Sequence, residues 1–142
     1  MSAWNTLPPR LLPPIDDTSR AYWTGGRRGE LLITRCSACA QWIHPPEAIC
    51  PECRSATNPQ PASGNGVVFS YTISHQQFHP AVPTPFVIAI IELDVQPGLR
   101  IVSNIVDCEL DSVHRGMRVK ARFEQHGDVY APVFVPAPRQ AT

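Results

Sequence analysis

Several ingredients of common functional classes are missing from these 142 residues. There is no net charge: 12 basic residues balance 12 acidic ones, so no global field gathers nucleic acid or an anionic membrane surface. No apolar run approaches the roughly eighteen residues of a membrane-spanning helix, and no lipidation signal is present, so no membrane partner is expected. Residues 1–15 are proline-rich and hold no long apolar stretch; a secretory leader is therefore not expected, and the chain reads as a soluble cytoplasmic protein. Neither a Gly-x-Ser-x-Gly elbow nor a phosphate-cradling glycine loop occurs, which weakens a self-sufficient enzyme reading. Long helices are disfavoured by sixteen prolines spread over both tails and the loops. What remains is enough chain for one ordinary domain and a small appendage.

The appendage is marked by cysteine. Cys36-Ser-Ala-Cys39 is followed, ten residues later, by Cys50-Pro-Glu-Cys53. Two such closely spaced pairs supply the four thiolates of a tetrahedral zinc ion, because each knuckle turns both sulfurs toward one point. Two disulfides are the rival reading, and they require an oxidising compartment. With four sulfur ligands the ion has no vacant position for a reactive water, so a structural role is expected. Zinc plus four thiolates carries a charge of about −2, which Arg35 and Arg54, beside the outer cysteines, can offset; an ordinary solvated arginine is the equal alternative. The residue after a knuckle's second cysteine favours positive φ, and here it is Ala40 and Arg54 rather than glycine. His44, between the pairs, reads as a hairpin residue rather than a ligand, and the lone Cys108 as a small buried hydrophobe.

In chain order, Pro8-Pro9 and Pro13-Pro14 predict an extended arm. A short helix fits Asp16 to Thr24, capped by Asp16 or Asp17, displaying Tyr22 and Trp23 and ended by Gly25-Gly26. Its aromatics must bury against something, with packing inside the chain the plainer outcome. Arg27 and Arg28 make only a weak phosphate site, because a helix C-terminus has the wrong dipole sign. Glu30 to Arg35 and Gln41 to Ile43 read as a ribbon hairpin, and Arg54 to Asn65 as a linker without apolar periodicity. Val67, Phe69, Tyr71 and Ile73 alternate with polar or smaller residues, predicting a strand with those four on its buried face. Phe86 to Leu93 is apolar on both faces, the pattern of a strand covered on both sides. Strands at Leu99 to Val106, Met117 to Glu124 and Val129 to Val135 complete five, with one helical turn allowed in the connector Asp107 to Gly116. Five short strands predict an OB-fold barrel, with a β-sandwich fragment as the alternative.

The combination resembles a known family. It runs Tyr22-Trp-Thr-Gly25, Gly29-Glu-Leu, Arg35-Cys36, Pro45-Pro46, Cys50-Pro-Glu-Cys53, Gly64-Asn-Gly-Val-Val-Phe-Ser-Tyr-Thr72, Pro85-Phe-Val-Ile-Ala-Ile-Ile-Glu-Leu93, Gly116-Met-Arg-Val119 and Phe134-Val-Pro136. This order is similar to the zinc-ribbon/OB-fold proteins of acyl-CoA metabolism, domain-of-unknown-function family thirty-five. The resemblance implies a mainly β fold: an arm and short helix over residues 1–29, a rubredoxin-like zinc ribbon over 30–58, and a five-stranded OB-fold barrel with its tail over 59–142. It implies structural Zn2+ on Cys36, Cys39, Cys50 and Cys53. It also implies a non-catalytic accessory subunit in a hetero-oligomer with a thiolase-like enzyme: a ketothiolase, an acyltransferase or a steroid side-chain aldolase. Acyl-CoA would be a ligand of that complex. Phe78 and His79, in the His75-Gln-Gln-Phe-His79 loop, are the residues placed to touch acyl-CoA or the partner, against the plainer reading of a surface loop. The competing function is a single-stranded nucleic-acid binder using Phe69 and Tyr71 as stacking platforms and Arg118, Lys120 and Arg122 as a basic stripe. Charge balance, and a pattern that puts both aromatics in the core, argue against it.

Overall fold

Short strands interrupted by proline can bury an apolar interior by closing on one another, which leaves no sheet edge exposed. The computed structural model has that architecture: a three-stranded sheet beside a closed five-stranded barrel. The structure describes residues 13–77 and 83–137.

The chain enters through a reciprocal cap. Asp16 Oδ1 accepts the Ser19 N–H at 2.8 Å and Ser19 Oγ accepts the Asp16 N–H at 3.2 Å, which starts the α-helix of the described residues, α1 (Arg20–Thr24). The α-helix ends at Thr24 with Gly25 as its C-cap, as the sequence predicts. A 3-10 turn continues through Gly25–Arg28, and Gly29, with φ of 72°, ends it. The earlier glycine pair also serves contact: a Cβ on Gly26 would sit 2.6 Å from the Phe123 ring, so only glycine lets the turn lie against the barrel. Tyr22 is buried with Trp23 packed edge-on at 4.8 Å, so the helix aromatics are spent within the chain.

The ribbon sheet is β1 (Leu31–Cys36), β2 (Trp42–Ile43) and β3 (Thr57–Ala62), in the order β2-β1-β3. Alternation along β1 divides its work. Leu31 and Ile33, with Trp42 beside them, join the barrel's core, whereas Cys36 gathers with Ile43 and Cys50 in a small second cluster. β3 corrects the expectation of a linker, since it pairs with β1 along its full length, from Leu31 opposite Ala62 to Cys36 opposite Thr57. Its residues are mostly exposed on both faces, so no apolar alternation betrays it. Pro59 and Pro61 lack an N–H, which an edge strand tolerates.

The barrel comprises β4 (Asn65–Ser74), β5 (Phe86–Leu93), β6 (Arg100–Ile105), β7 (Arg118–His126) and β8 (Val129–Pro136). It closes in the order β4-β5-β6-β8-β7, with β4 returning to β7 and a 3-10 turn at Leu110–Ser112 between β6 and β7. Inside lie Val68, Ile91, Leu93, Ile101, Val119 and Phe134, all essentially dry. Two expectations are corrected here. β5 buries Val87, Ala89, Ile91 and Leu93, but Phe86, Ile88 and Ile90 on its other face are only half-covered. On β4 a bulge between Val68 and Ser70 breaks the period of two. Val68 faces Ile91 in the core, Val67 opposes Glu92 outside, and beyond the bulge Tyr71 and Ile73 oppose the buried Ala89 and Val87. The extra residue is Phe69, which is 46% exposed, and Tyr71 is itself 37% exposed, so neither aromatic lies in the core as the alternation predicts.

Candidate metal centre

The two cysteine knuckles are built alike. The N–H of Cys36 donates to the Gln41 carbonyl at 2.8 Å, and that of Cys50 to the Ser55 carbonyl at 2.9 Å. Ala40 and Arg54, each following a second cysteine, take φ of 65° and 64°. These are the positions where positive φ is predicted, and both non-glycine residues adopt it, at a steric cost that the tight turn demands. The N–H groups of Ala38 and Cys39 both point at Cys36 Sγ, at 3.3 Å each. An isolated bridge between Ile49 and Ala56 and the Thr57 hydroxyl on the Glu47 carbonyl close the loop between the knuckles.

The four sulfurs lie within 4.8 Å of one another. Cys36 and Cys53 approach to 3.3 Å and Cys39 and Cys50 to 3.8 Å, with all four cysteines free rather than disulfide-bonded. Cys36 and Cys50 are buried, whereas Cys39 and Cys53 face solvent. The donor set fits a soft dication, and the acid–base character of the thiols agrees. The Cys39 N–H lowers the Cys36 pKa, and hydrogen bonding from Ser55 brings Cys53 down to about 6. At Cys39 the Gln41 N–H favours the thiolate, yet the sulfurs of Cys36, Cys53 and Cys50, with burial, push it up to about 12. Four thiolates so close repel one another until a cation sits among them, which is the electrostatic demand a Zn2+ ion meets. The ion would supply cross-linking, with no vacant position for chemistry.

Flanking residues resolve other expectations. Arg35 is not free in solvent: its Nε donates to the Ala40 carbonyl at 2.9 Å and its guanidinium stacks on Trp42 at 4.5 Å, bracing the first knuckle. Arg54 is exposed. His44 packs against Tyr22 at 4.9 Å, outside the sulfur cluster. Its buried Nδ1 has no hydrogen-bond partner, and burial depresses its pKa to about 4. Phe78 and His79 lie outside the described residues. The basic stripe on β7 is largely neutralised. Arg118 holds Asp94 through two bonds of 2.9 and 2.5 Å and Arg122 pairs with Asp107, so two of the three cations are tied to carboxylates.

A residue the sequence reading passes over joins the ribbon to the barrel. Gln96, in the turn after β5, accepts the Trp42 N–H on Oε1 at 2.9 Å and donates from Nε2 to the Trp42 carbonyl at 3.1 Å. Its amide thus imitates a neighbouring strand for a β2 only two residues long. Nothing local to a glutamine in a turn signals a partner 54 positions away.

Comparison with known proteins adds to this geometry. Residues 23–59 match the family model of the ChsH2 rubredoxin-like zinc ribbon domain, and residues 59–124 that of the ChsH2 C-terminal OB-fold domain. A solved structure described as the Ltp2-ChsH2(DUF35) aldolase is 35% identical, with a TM-score of 0.77 over 88% of this chain and 98% of that one. A DUF35 domain-containing scaffold protein from Methanocaldococcus jannaschii is 39% identical over 69% of this chain and 72% of its own length. A probable enoyl-CoA hydratase alpha subunit from Thermomonospora curvata is 37% identical over 92% of this chain, which spans only 41% of that relative's length.

Proposed function

The chain belongs to the DUF35 family of zinc-ribbon and OB-fold proteins represented by ChsH2, and from that membership we propose that it is a non-catalytic accessory subunit of an acyl-CoA enzyme. In this reading Cys36, Cys39, Cys50 and Cys53 hold a structural Zn2+. The barrel docks on an aldolase or other thiolase-like subunit, and the assembly, not this chain alone, handles the acyl-CoA substrate. The observation that carries the reading is the likeness to the Ltp2-ChsH2(DUF35) aldolase, where 98% of the matched chain is accounted for. A hydratase partner is the second reading, since this chain is also similar to a probable enoyl-CoA hydratase alpha subunit, of which it spans 41%.

The internal chemistry agrees with an accessory role. The four reactive sulfurs converge on one another, which commits them to metal and leaves none as a nucleophile. A nucleic-acid reading draws some support from exposed Phe69, yet Arg118 and Arg122 are tied to Asp94 and Asp107, so few cations are left for phosphates.

The test is affinity capture of the tagged chain from its native host, with mass spectrometry and reconstitution of what co-purifies. A stoichiometric aldolase or thiolase-like subunit, whose turnover on an acyl-CoA falls when this chain is withdrawn, is the expected result. Turnover by the chain alone, or a hydratase subunit in the complex, would redirect the assignment.

A further inference from the structure

Among the described residues the exposed large apolar side chains are Ile49 in the ribbon and Phe69, Tyr71 and Val102 on the barrel. Phe69 and Val102 lie on the outer face of one sheet segment. Ile90 on β5 stands between them, opposite Ser70 of β4 on one side and Val102 of β6 on the other. Val102 is 67% exposed and Phe69 46%, while Ile88 and Ile90 are half-covered. Isolated apolar residues on a surface are ordinary, but these are contiguous over three adjacent strands. One of them is there because of a bulge. Without the extra residue the strand's alternation would carry Phe69 to the same side as Tyr71 and Ile73; with it, the ring is turned outward.

The charge on this face points to the kind of occupant. Its one ion pair is internal: Arg100 Nε lies 3.0 Å from Glu92 Oε1, and the guanidinium covers the Phe69 ring at 3.7 Å. Among the described residues no free cation is left there to meet a phosphate, so the face complements an uncharged surface rather than a nucleic acid or an anionic membrane. An apolar centre edged by an arginine stacked on an aromatic ring is the composition of a protein-binding hot spot. A protein occupant also agrees with the solved relative, whose description joins Ltp2 to ChsH2(DUF35) in an aldolase.

We propose that the outer face of β4, β5 and β6, centred on Phe69, Ile90 and Val102, seats the acyl-CoA enzyme subunit, which presents an uncharged apolar patch to it. This surface rests on the accessory-subunit reading and specifies where that subunit docks.

The experiment titrates the purified, zinc-loaded chain against the aldolase or thiolase-like subunit identified from the host. Val102→Glu puts a charge at the centre of the contact and Phe69→Ser removes its aromatic; each is expected to raise Kd at least about tenfold. Arg115→Glu, on the exposed connector before β7, is expected to leave Kd unchanged. Zinc content and thermal midpoint of the free variants serve as the folding control, and Val102 is exposed enough for the glutamate to be harmless there. Wild-type affinity in both variants overturns this surface and leaves the accessory role standing. If the wild-type chain binds no acyl-CoA enzyme subunit at all, surface and role fall together. Salt-sensitive binding of a single-stranded oligonucleotide that Phe69→Ser abolishes would overturn the protein-partner assignment.

Discussion

The ribbon and the barrel solve the same problem with different means. The barrel closes five strands around Val68, Ile91, Leu93, Ile101, Val119 and Phe134, each 1% exposed or less. The ribbon's own interior is Cys36, Ile43 and Cys50. Ordering each residue of such a loop costs about 1–2 kcal/mol of backbone entropy, and one isoleucine with two cysteines cannot offset that for a segment this long. One region is therefore held by apolar burial, and to the other the converging thiolates offer a metal cross-link, with the odd-numbered face of β1 lent to the barrel.

Removing the metal gives the largest expected effect. Cys50→Ser should take zinc content from one ion per chain to none, since structural zinc sites contribute on the order of 10 kcal/mol. Hydrogen exchange should then lose protection from residue 36 to residue 56 while β4 to β8 keep theirs. Retained zinc would refute the ligand assignment, and loss of protection throughout would show that the two regions do not stand apart. The converse experiment is Phe134→Ala, a fully buried side chain in the barrel, which should lower global stability by about 3–5 kcal/mol in urea denaturation. Its zinc stoichiometry should stay unchanged, because no ligand depends on that side chain.

Acid probes the seam between helix and ribbon. An unfolded His44 titrates near 6.5, and burial holds the folded one at about 4. Above 6.5 both states are neutral and the full stability is present; as pH falls through the window, only the unfolded chain takes the proton, so stability declines. The loss should be about 1 kcal/mol by pH 5.5, and larger nearer 4. His44→Phe should flatten this slope without a penalty at neutral pH, because Nδ1 has no hydrogen bond to lose. Thermal midpoints down to about pH 5.5 check it, before protons compete with zinc for the thiolates. An unaltered slope would mean that His44 is not the titrating group.

The two regions also differed in how much of them the sequence disclosed. In the ribbon, cysteine spacing announced the converging sulfurs and even the left-handed Ala40 and Arg54, because metal geometry leaves little freedom. Its third strand stayed hidden, since an edge strand with two prolines and both faces in solvent carries no apolar period. In the barrel all five strands were legible from alternation or from short apolar runs, and closure followed from their number. The bulge was not: one extra residue in a ladder leaves the composition untouched while it reverses which side Phe69 occupies. Gly25-Gly26 announced the end of the α-helix but not the close approach of Gly26 to Phe123, because glycine serves either purpose.

Whether the two regions communicate is tested at the amide that joins them. Gln96→Ala removes both bonds to the Trp42 backbone, and Trp42 is 8% exposed, so water replaces the lost amide poorly. A destabilisation of about 1–3 kcal/mol is expected, concentrated in the ribbon. The Trp42 N–H should exchange faster and a chelator should strip zinc sooner, while the barrel's exchange pattern holds. Should zinc release be unaffected, the joint must lie in the apolar contacts of Leu31, Ile33 and Tyr22 with the barrel rather than in this amide. The double variant Gln96→Ala with Leu31→Ala would then separate the two contributions, because contacts that brace one joint are not additive.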